Sequence, residues 1–148
     1  MIIRNYRPSD FPQVEKLWKE TGIYTLERGD TAEIIKQCND LGGQFLVMET
    51  PDHSQVIGSS WMTFDGRRIH LHHFAILPSY QGLGLGRKLA LRSLEFARET
   101  QFPLKLEVHC DNRAAINLYK SLGFVVFEDY DVYMILDTDS VALSSAEQ

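Results

Sequence analysis

Apolar and polar positions change period several times along the chain, and each change marks an element. Residues Met1 to Tyr6 alternate as a strand does. Pro8-Ser9-Asp10 then reads as a helix start, with Ser9 or Asp10 able to cap the first amides. Phe11, Val14, Leu17 and Trp18 follow at helical spacing, and Gly22 is a natural stop. Thr21 to Asp30 reads as a loop, and Thr31 to Leu41 as a short helix closed by Gly42-Gly43. Gln44 to Glu49 is a strand of buried type, and Pro51 to Ser54 a turn. Val56 to Thr63 and Arg68 to Leu77 read as strands joined by an Asp65-Gly66 hairpin turn.

From there the period returns to that of a helix. Gly84 to Thr100 carries Ala90, Leu94 and Ala97 on one stripe, and Pro103 ends it. Leu104 to His109 alternates, with Leu104, Leu106 and Val108 on one face and Lys105, Glu107 and His109 on the other. Asn112 to Ser121 is a helix closed by Gly123, and Phe124 to Glu128 and Val132 to Leu136 read as final strands. The expected order is β-α-α-β-β-β-α-β-α-β-β, without internal repeat or linker. Hairpin-linked strands followed by a strand–helix–strand unit predict an α/β fold, a mixed sheet with helices on both faces. One domain over residues 1–136 is expected, with the small polar residues 137–148 as a frayed tail.

Composition narrows the function classes. The chain has 148 residues, 44% of them hydrophobic, enough to bury a core. No apolar run approaches the length of a membrane span, and the first residues lack the regions of a signal peptide. A net charge of −5 argues against generic nucleic-acid binding, which needs a basic face, and suits a cationic partner. Cys38 and Cys110 have no metal or redox spacing, so no metal is expected, and a reducing, cytoplasmic setting is the simplest reading.

The stretch from Phe74 to Arg87 carries the clearest chemistry. A strand ends at Pro78, and a glycine-rich turn over Gln81-Gly82-Leu83-Gly84-Leu85-Gly86-Arg87 opens an amphipathic helix. Glycines let backbone approach an anion closely, and the helix N-terminus offers free amides and a favourable dipole. The spacing excludes other phosphate loops. Arg87 stands where a P-loop needs its second glycine after Gly82, and neither Gly82 nor Gly84 starts a Gly-x-Gly-x-x-Gly fingerprint.

The spacing Gln81-x-x-Gly84-x-Gly86 resembles the cofactor motif of the GNAT acetyltransferases, which follows a strand ending in an apolar-x-apolar pair. Asn112, Ala115, Leu118, Tyr119, Gly123 and Phe124 resemble a second motif of that family, and Leu106-Glu107-Val108 is similar to the same strand in bacterial enzymes that acetylate ribosomal-protein N-termini. The resemblance implies acetyl-CoA as co-substrate and an amine as acceptor: a small molecule, an amino acid or a peptide or protein N-terminus. A non-catalytic acyl-CoA-binding domain of the same fold is the alternative. Where the ribosomal enzymes carry an extended segment between their last strands, this chain has only Asp129-Tyr130-Asp131.

Carried over residue by residue, the resemblance assigns the pantetheine arm to the backbone of Phe74, Ala75 and Ile76. It assigns the pyrophosphate to Gln81 and to the amides from Gly82 through Leu83, Gly84, Leu85 and Gly86 to Arg87. Asn112 is expected to bond the cofactor, although a plain helix cap explains it too. Tyr119 is the expected proton donor to the departing thiolate. Glu107 is the first choice of general base, with His72 and His73 as rivals of which alternation aims one at the cleft. Cys110 reads as a small buried residue rather than a nucleophile. Trp61 and Phe64 read equally as acceptor-pocket walls or as core. Ile23 to Asp30, Trp61 to Asp65 and the Tyr130 turn are the expected acceptor surface, and an exposed edge strand makes a homodimer an open expectation.

Overall fold

The computed structural model describes residues 1–24 and 29–140. Its strands are β1 (Ile2–Asn5), β2 (Gln44–Glu49), β3 (Val56–Phe64), β4 (Ile69–Ile76) and β5 (Leu104–Leu106). Its helices are α1 (Phe11–Glu20), α2 (Ala32–Asp40), α3 (Leu85–Thr100) and α4 (Arg113–Ser121). The sheet runs in the order β1-β2-β3-β4-β5. The first four strands are antiparallel in succession, and β5 joins β4 in parallel. The parallel pair requires a crossover, which α3 supplies.

Two adjacent serines show the layering. Ser59 and Ser60 lie side by side in the buried stretch of β3, so their side chains leave opposite faces of the sheet. Ser59 Oγ accepts from Trp18 Nε1 of α1 at 3.0 Å, while Ser60 Oγ bonds Ser93 Oγ of α3 at 2.7 Å. Helices therefore cover both faces, as the sequence pattern predicts. On the α1 side the core is aromatic: the Trp18 ring stacks on Phe45 at 5.9 Å and on Trp61 at 6.2 Å. Trp61 is thus core, 3% exposed, and Phe64 packs against Phe102.

The start of α1 differs from expectation. Pro8–Asp10 forms a short 3-10 turn, and Asp10 gives its carboxylate to the Arg7 amide and to Arg4 rather than to a helical cap. Arg4 also reaches Glu49 at 2.7 Å, so one guanidinium ties β1, β2 and the entry to α1. The Arg4 hydrogen bond holds the Glu49 carboxyl below its usual range.

The chain after α4 corrects a larger expectation. Phe124–Glu128 and Val132–Leu136, expected as strands, form none, and the sheet stops at β5. Val125, Phe127, Val132, Tyr133 and Leu136 are all exposed. Strand formation needs a ladder partner and a covered face, which alternation alone does not supply. The strand expected over Leu104–His109 ends at Leu106, where its pairing with β4 ends. No helix among the described residues is long and apolar enough to cross a membrane. Residues 25–28 of the expected acceptor loop and 141–148 of the expected tail lie outside the described residues.

Candidate active site

The glycine turn forms as its sequence demands. Gly82 and Gly84 have φ of +77° and +73°, in the left-handed region, and a Cβ built on either meets nothing within 4 Å. Gly84 is the N-cap of α3 without a side-chain cap, and the Lys88 amide bonds the Gly84 carbonyl. The amides of Leu85, Gly86 and Arg87 therefore precede the helical ladder and point out of the helix end, where an anion would meet them. Gly86 has a different role. A Cβ there would touch Leu118 at 3.7 Å and Ile76 at 3.9 Å, ordinary contact distances, so the start of α3 sits close to α4 and to the end of β4. The Arg87 guanidinium donates to Ser121 Oγ at 2.9 Å and ties the same two helices.

Beside this turn, β4 offers a free edge. β4 and β5 pair only from Ile69/Leu104 to Leu71/Leu106, and β4 continues to Ile76. Leu77 N bonds Ile57 O, so by the alternation of an antiparallel ladder the peptide groups of Phe74 and Ile76 face away from β3. The Ile76 carbonyl, on that side, accepts from Gln81 Nε2 at 2.8 Å. Gln81 thus uses its side chain to hold the turn against β4, a bond the sequence did not announce. The amide of Ile76 and the peptide edge of Phe74 remain for an added strand-like ligand.

The two neighbouring histidines do not alternate. The β3–β4 register slips between Ser59 and Trp61, and His73 has φ of +43°, a conformation that costs a non-glycine residue about 1–3 kcal/mol. The bulge turns both rings to the α1 side. His72 lies 6.0 Å from the Trp61 ring and bonds Thr63 Oγ1 at 2.9 Å, while His73 lies 4.3 Å from Trp18 and 5.4 Å from Trp61. The expectation that alternation would aim only one of them at the cleft is therefore corrected. The doublet itself, two polar residues where the pattern allows one, was the signal of a bulge.

Glu107 follows the last residue of β5 with about half its side chain exposed. Its carboxylate lies 3.9 Å from His70 Nε2 and 3.9 Å from Lys105 Nζ. The His70 ring lies tilted against that of His72, with centroids 3.8 Å apart, so Glu107, His70 and His72 form one row across the first half of β4 and the residue after β5. Burial pulls the His70 pKa down, and the Lys105 charge adds to that effect. Sequence reasoning omitted His70, although it shares the strand parity of His72.

Tyr119 sits apart from that row. It is buried on α4, with its ring edge-on to Phe74 at 6.0 Å and to Phe124 at 5.4 Å. Burial raises its phenol pKa to about 12. Asn112 caps α4, its Oδ1 accepting from the Ala115 amide at 3.1 Å. Cys110 is exposed, contrary to expectation, because it belongs to the turn after the shortened β5. The ligand-type atoms of His109, Cys110 and Asp111 come within 4.8 Å of one another, all on exposed side chains.

Known proteins are similar to this chain in sequence and fold. The profile of the Acetyltransferase (GNAT) family matches residues 11–124. An L-amino acid N-acyltransferase, MnaT, of Escherichia coli is 29% identical over 139 residues, covering 85% of this chain and 80% of that protein. The N-alpha-acetyltransferase RimI of Mycobacterium tuberculosis is 46% identical over 54 residues, covering 36% of this chain and 33% of that one. Among solved structures, the yncA acetyltransferase of Salmonella typhimurium with its cofactor acetyl-CoA superposes with a TM-score of 0.71 at 25% identity, over 85% of this chain and 80% of that chain. With a family match over most of its length and a glycine turn, free strand edge and helix end assembled as above, the chain belongs to the GNAT family and is an acetyl-CoA-dependent N-acetyltransferase.

Proposed function

We propose that the acceptor is a primary amine of a small molecule, an L-amino acid first of all, and that it attacks the thioester directly. The position of Tyr119 carries this reading. A phenol buried against Phe74, on the free edge of β4, and raised to about pKa 12 keeps its proton at neutral pH and has it available for the departing thiolate. The amide of Ile76 polarises the thioester carbonyl, since Gln81 already occupies the Ile76 carbonyl. The cofactor supplies the activated acetyl group. Phe74, Ala75 and Ile76 align it, and the amides from Gly82 to Arg87 hold its pyrophosphate. Asn112 keeps its amide nitrogen for the cofactor while its oxygen caps α4.

An amine must lose a proton to attack, because an α-ammonium has a pKa of about 8 and a lysine ammonium about 10.4. Glu107 accepts that proton, directly or through water relayed by His72 across the row that includes His70. The likeness to MnaT extends along most of both chains and favours an amino acid. A peptide or protein N-terminus is the second reading, favoured by the shorter but stronger likeness to RimI. Both cysteines are free thiols, in keeping with a reducing, cytoplasmic site of action.

A panel of amino acids, amino-acid amides, diamines and peptides with free N-termini, scored by thiol release and by mass gain of one acetyl group, tests the reading. Acetylated amino acids are expected. Peptides modified while amino acids stay untouched would overturn the first choice of acceptor, and tight acetyl-CoA binding without transfer to any amine would overturn the mechanism.

A further inference from the structure

His73 and Asp30 form a largely covered pair that the reaction as described does not use. His73 Nε2 lies 3.0 Å from Asp30 Oδ2, with side-chain exposures of 7% and 16%. The backbone around the pair is equally constrained. The His73 carbonyl accepts from Ser59 Oγ at 2.7 Å, and Ser59 Oγ in turn accepts from Trp18 Nε1. The ring lies against Trp18 and Trp61. Side chains of α1, β3 and the segment before α2 thus converge on one residue in a left-handed conformation.

That residue immediately precedes Phe74, where β4 has already lost β5 as a neighbour. A free strand edge that must meet a ligand accurately needs support from behind, because a misplacement of about 0.5 Å is enough to spoil a reacting geometry. Asp30 stands at the other end of the pair. It precedes Thr31, the N-cap of α2, and lines an open hollow of about 290 Å³ with Phe11, Glu15 and Tyr24.

We propose that the His73–Asp30 pair is the positioning device of the transfer site: it locks the β4 bulge so that the Phe74–Ile76 edge stands ready for the thioester, and it couples that edge to the segment before α2 on the acceptor side. This rests on the proposed reaction only for its effect on turnover. The pair holds a strand edge in register, and neither member needs to touch the substrate.

Asp30→Asn keeps the shape and removes the charge. His73→Asn tolerates the left-handed backbone and removes the ring. In both variants the amides of Ala75 and Leu77, which follow the bulge and face β3, are expected to exchange hydrogen about tenfold faster or more, while those of Leu46 to Met48 in β2 keep their wild-type rates. Turnover with a good amine is expected to fall about tenfold, with acetyl-CoA Kd within about threefold because the glycine turn is untouched. Unchanged exchange at Ala75 and Leu77 would overturn the proposal. So would equally faster exchange through the whole sheet, which marks general destabilisation, or a loss confined to acetyl-CoA affinity. The exchange measurement stands even if wild-type protein transfers acetyl to no amine in the panel, so failure of the reaction reading and failure of this one are distinguishable.

Discussion

The glycine turn follows the C-terminal end of β4, the row of titratable side chains crosses the first half of β4 and the residue after β5, and the two are built on different terms. From Gly82 to Arg87 the proposed binding groups are backbone amides. Their direction follows from two positive φ angles and from the start of α3, all within one short stretch of chain. Leu83, in the middle of the turn, is exposed and contributes little as a side chain. In the proposed transfer site the groups are side chains drawn from β4, the residue after β5, α4 and the segment before α2. A local site tolerates much change around it and little within it. A dispersed site depends on every element that presents a member.

The largest effect is expected where the dispersed site meets the reaction. Tyr119→Phe should lower kcat by about 10²-fold or more, the usual scale of a general acid, with acetyl-CoA Kd nearly unchanged. Steady-state rates beside calorimetric titration check this, and unchanged turnover with a good acceptor would remove Tyr119 from that role. The local site should answer in the opposite way. Gly84→Asp places a carboxylate opposite the diphosphate and displaces it from two or more charge-assisted bonds of about 1.5–3 kcal/mol each, so acetyl-CoA affinity should fall about a hundredfold or more. Gly84→Ala should be milder, and Gly86→Ala milder still, since its Cβ meets only ordinary contacts. Native-like affinity in a folded Gly84→Asp protein would break the comparison.

A third test concerns half-exposed Glu107, the proposed base. Glu107→Gln should reduce kcat about tenfold near neutral pH and recover as the pH rises toward the pKa of the amine, because a growing fraction of acceptor is then already neutral. A pH profile of kcat parallel to wild type would shift the role to His72. The smallest effect is on stability. The phenol of Tyr119 ionises near pH 10 when unfolded and only near 12 when folded, so the folded state holds its proton more tightly. Stability from this group is intact below pH 10 and declines as the pH climbs from 10 to 12, by no more than about 2–3 kcal/mol. Thermal melts of wild type and Tyr119→Phe should therefore converge in that window.

Most of the elements were legible because their periods are set locally. The Asp65-Gly66 turn is one example: Asp65 Oδ1 accepts from the Arg67 and Arg68 amides, and Gly66 takes φ of +86°. The stop of α3 short of Pro103 is another. The two final strands were misread for the complementary reason. Alternation from Phe124 to Leu136 states which residues would share a face, and no neighbouring strand pairs with them. Within the candidate site, Gln81, Gly82, Gly84 and Tyr119 are proposed from type and spacing alone. The Gln81 bond to Ile76, the His70–His72 contact and the His73–Asp30 pair could not be, because each joins residues whose approach depends on the fold.

The sequence by itself determined the order of elements through β5 and α4, the glycine turn that opens α3, and the family to which the chain belongs. Each of these is encoded by residues close together in the chain, where steric limits on φ and the period of apolar side chains act directly. Only the tertiary structure decided that β4 bulges at His73, that β5 stops at Leu106 and leaves an edge free, that Cys110 is exposed, and that Arg4 binds both Asp10 and Glu49. Those outcomes depend on contacts between distant segments. A bulge persists because Ser59, Trp18 and Asp30 meet around it, and a strand ends where its partner leaves.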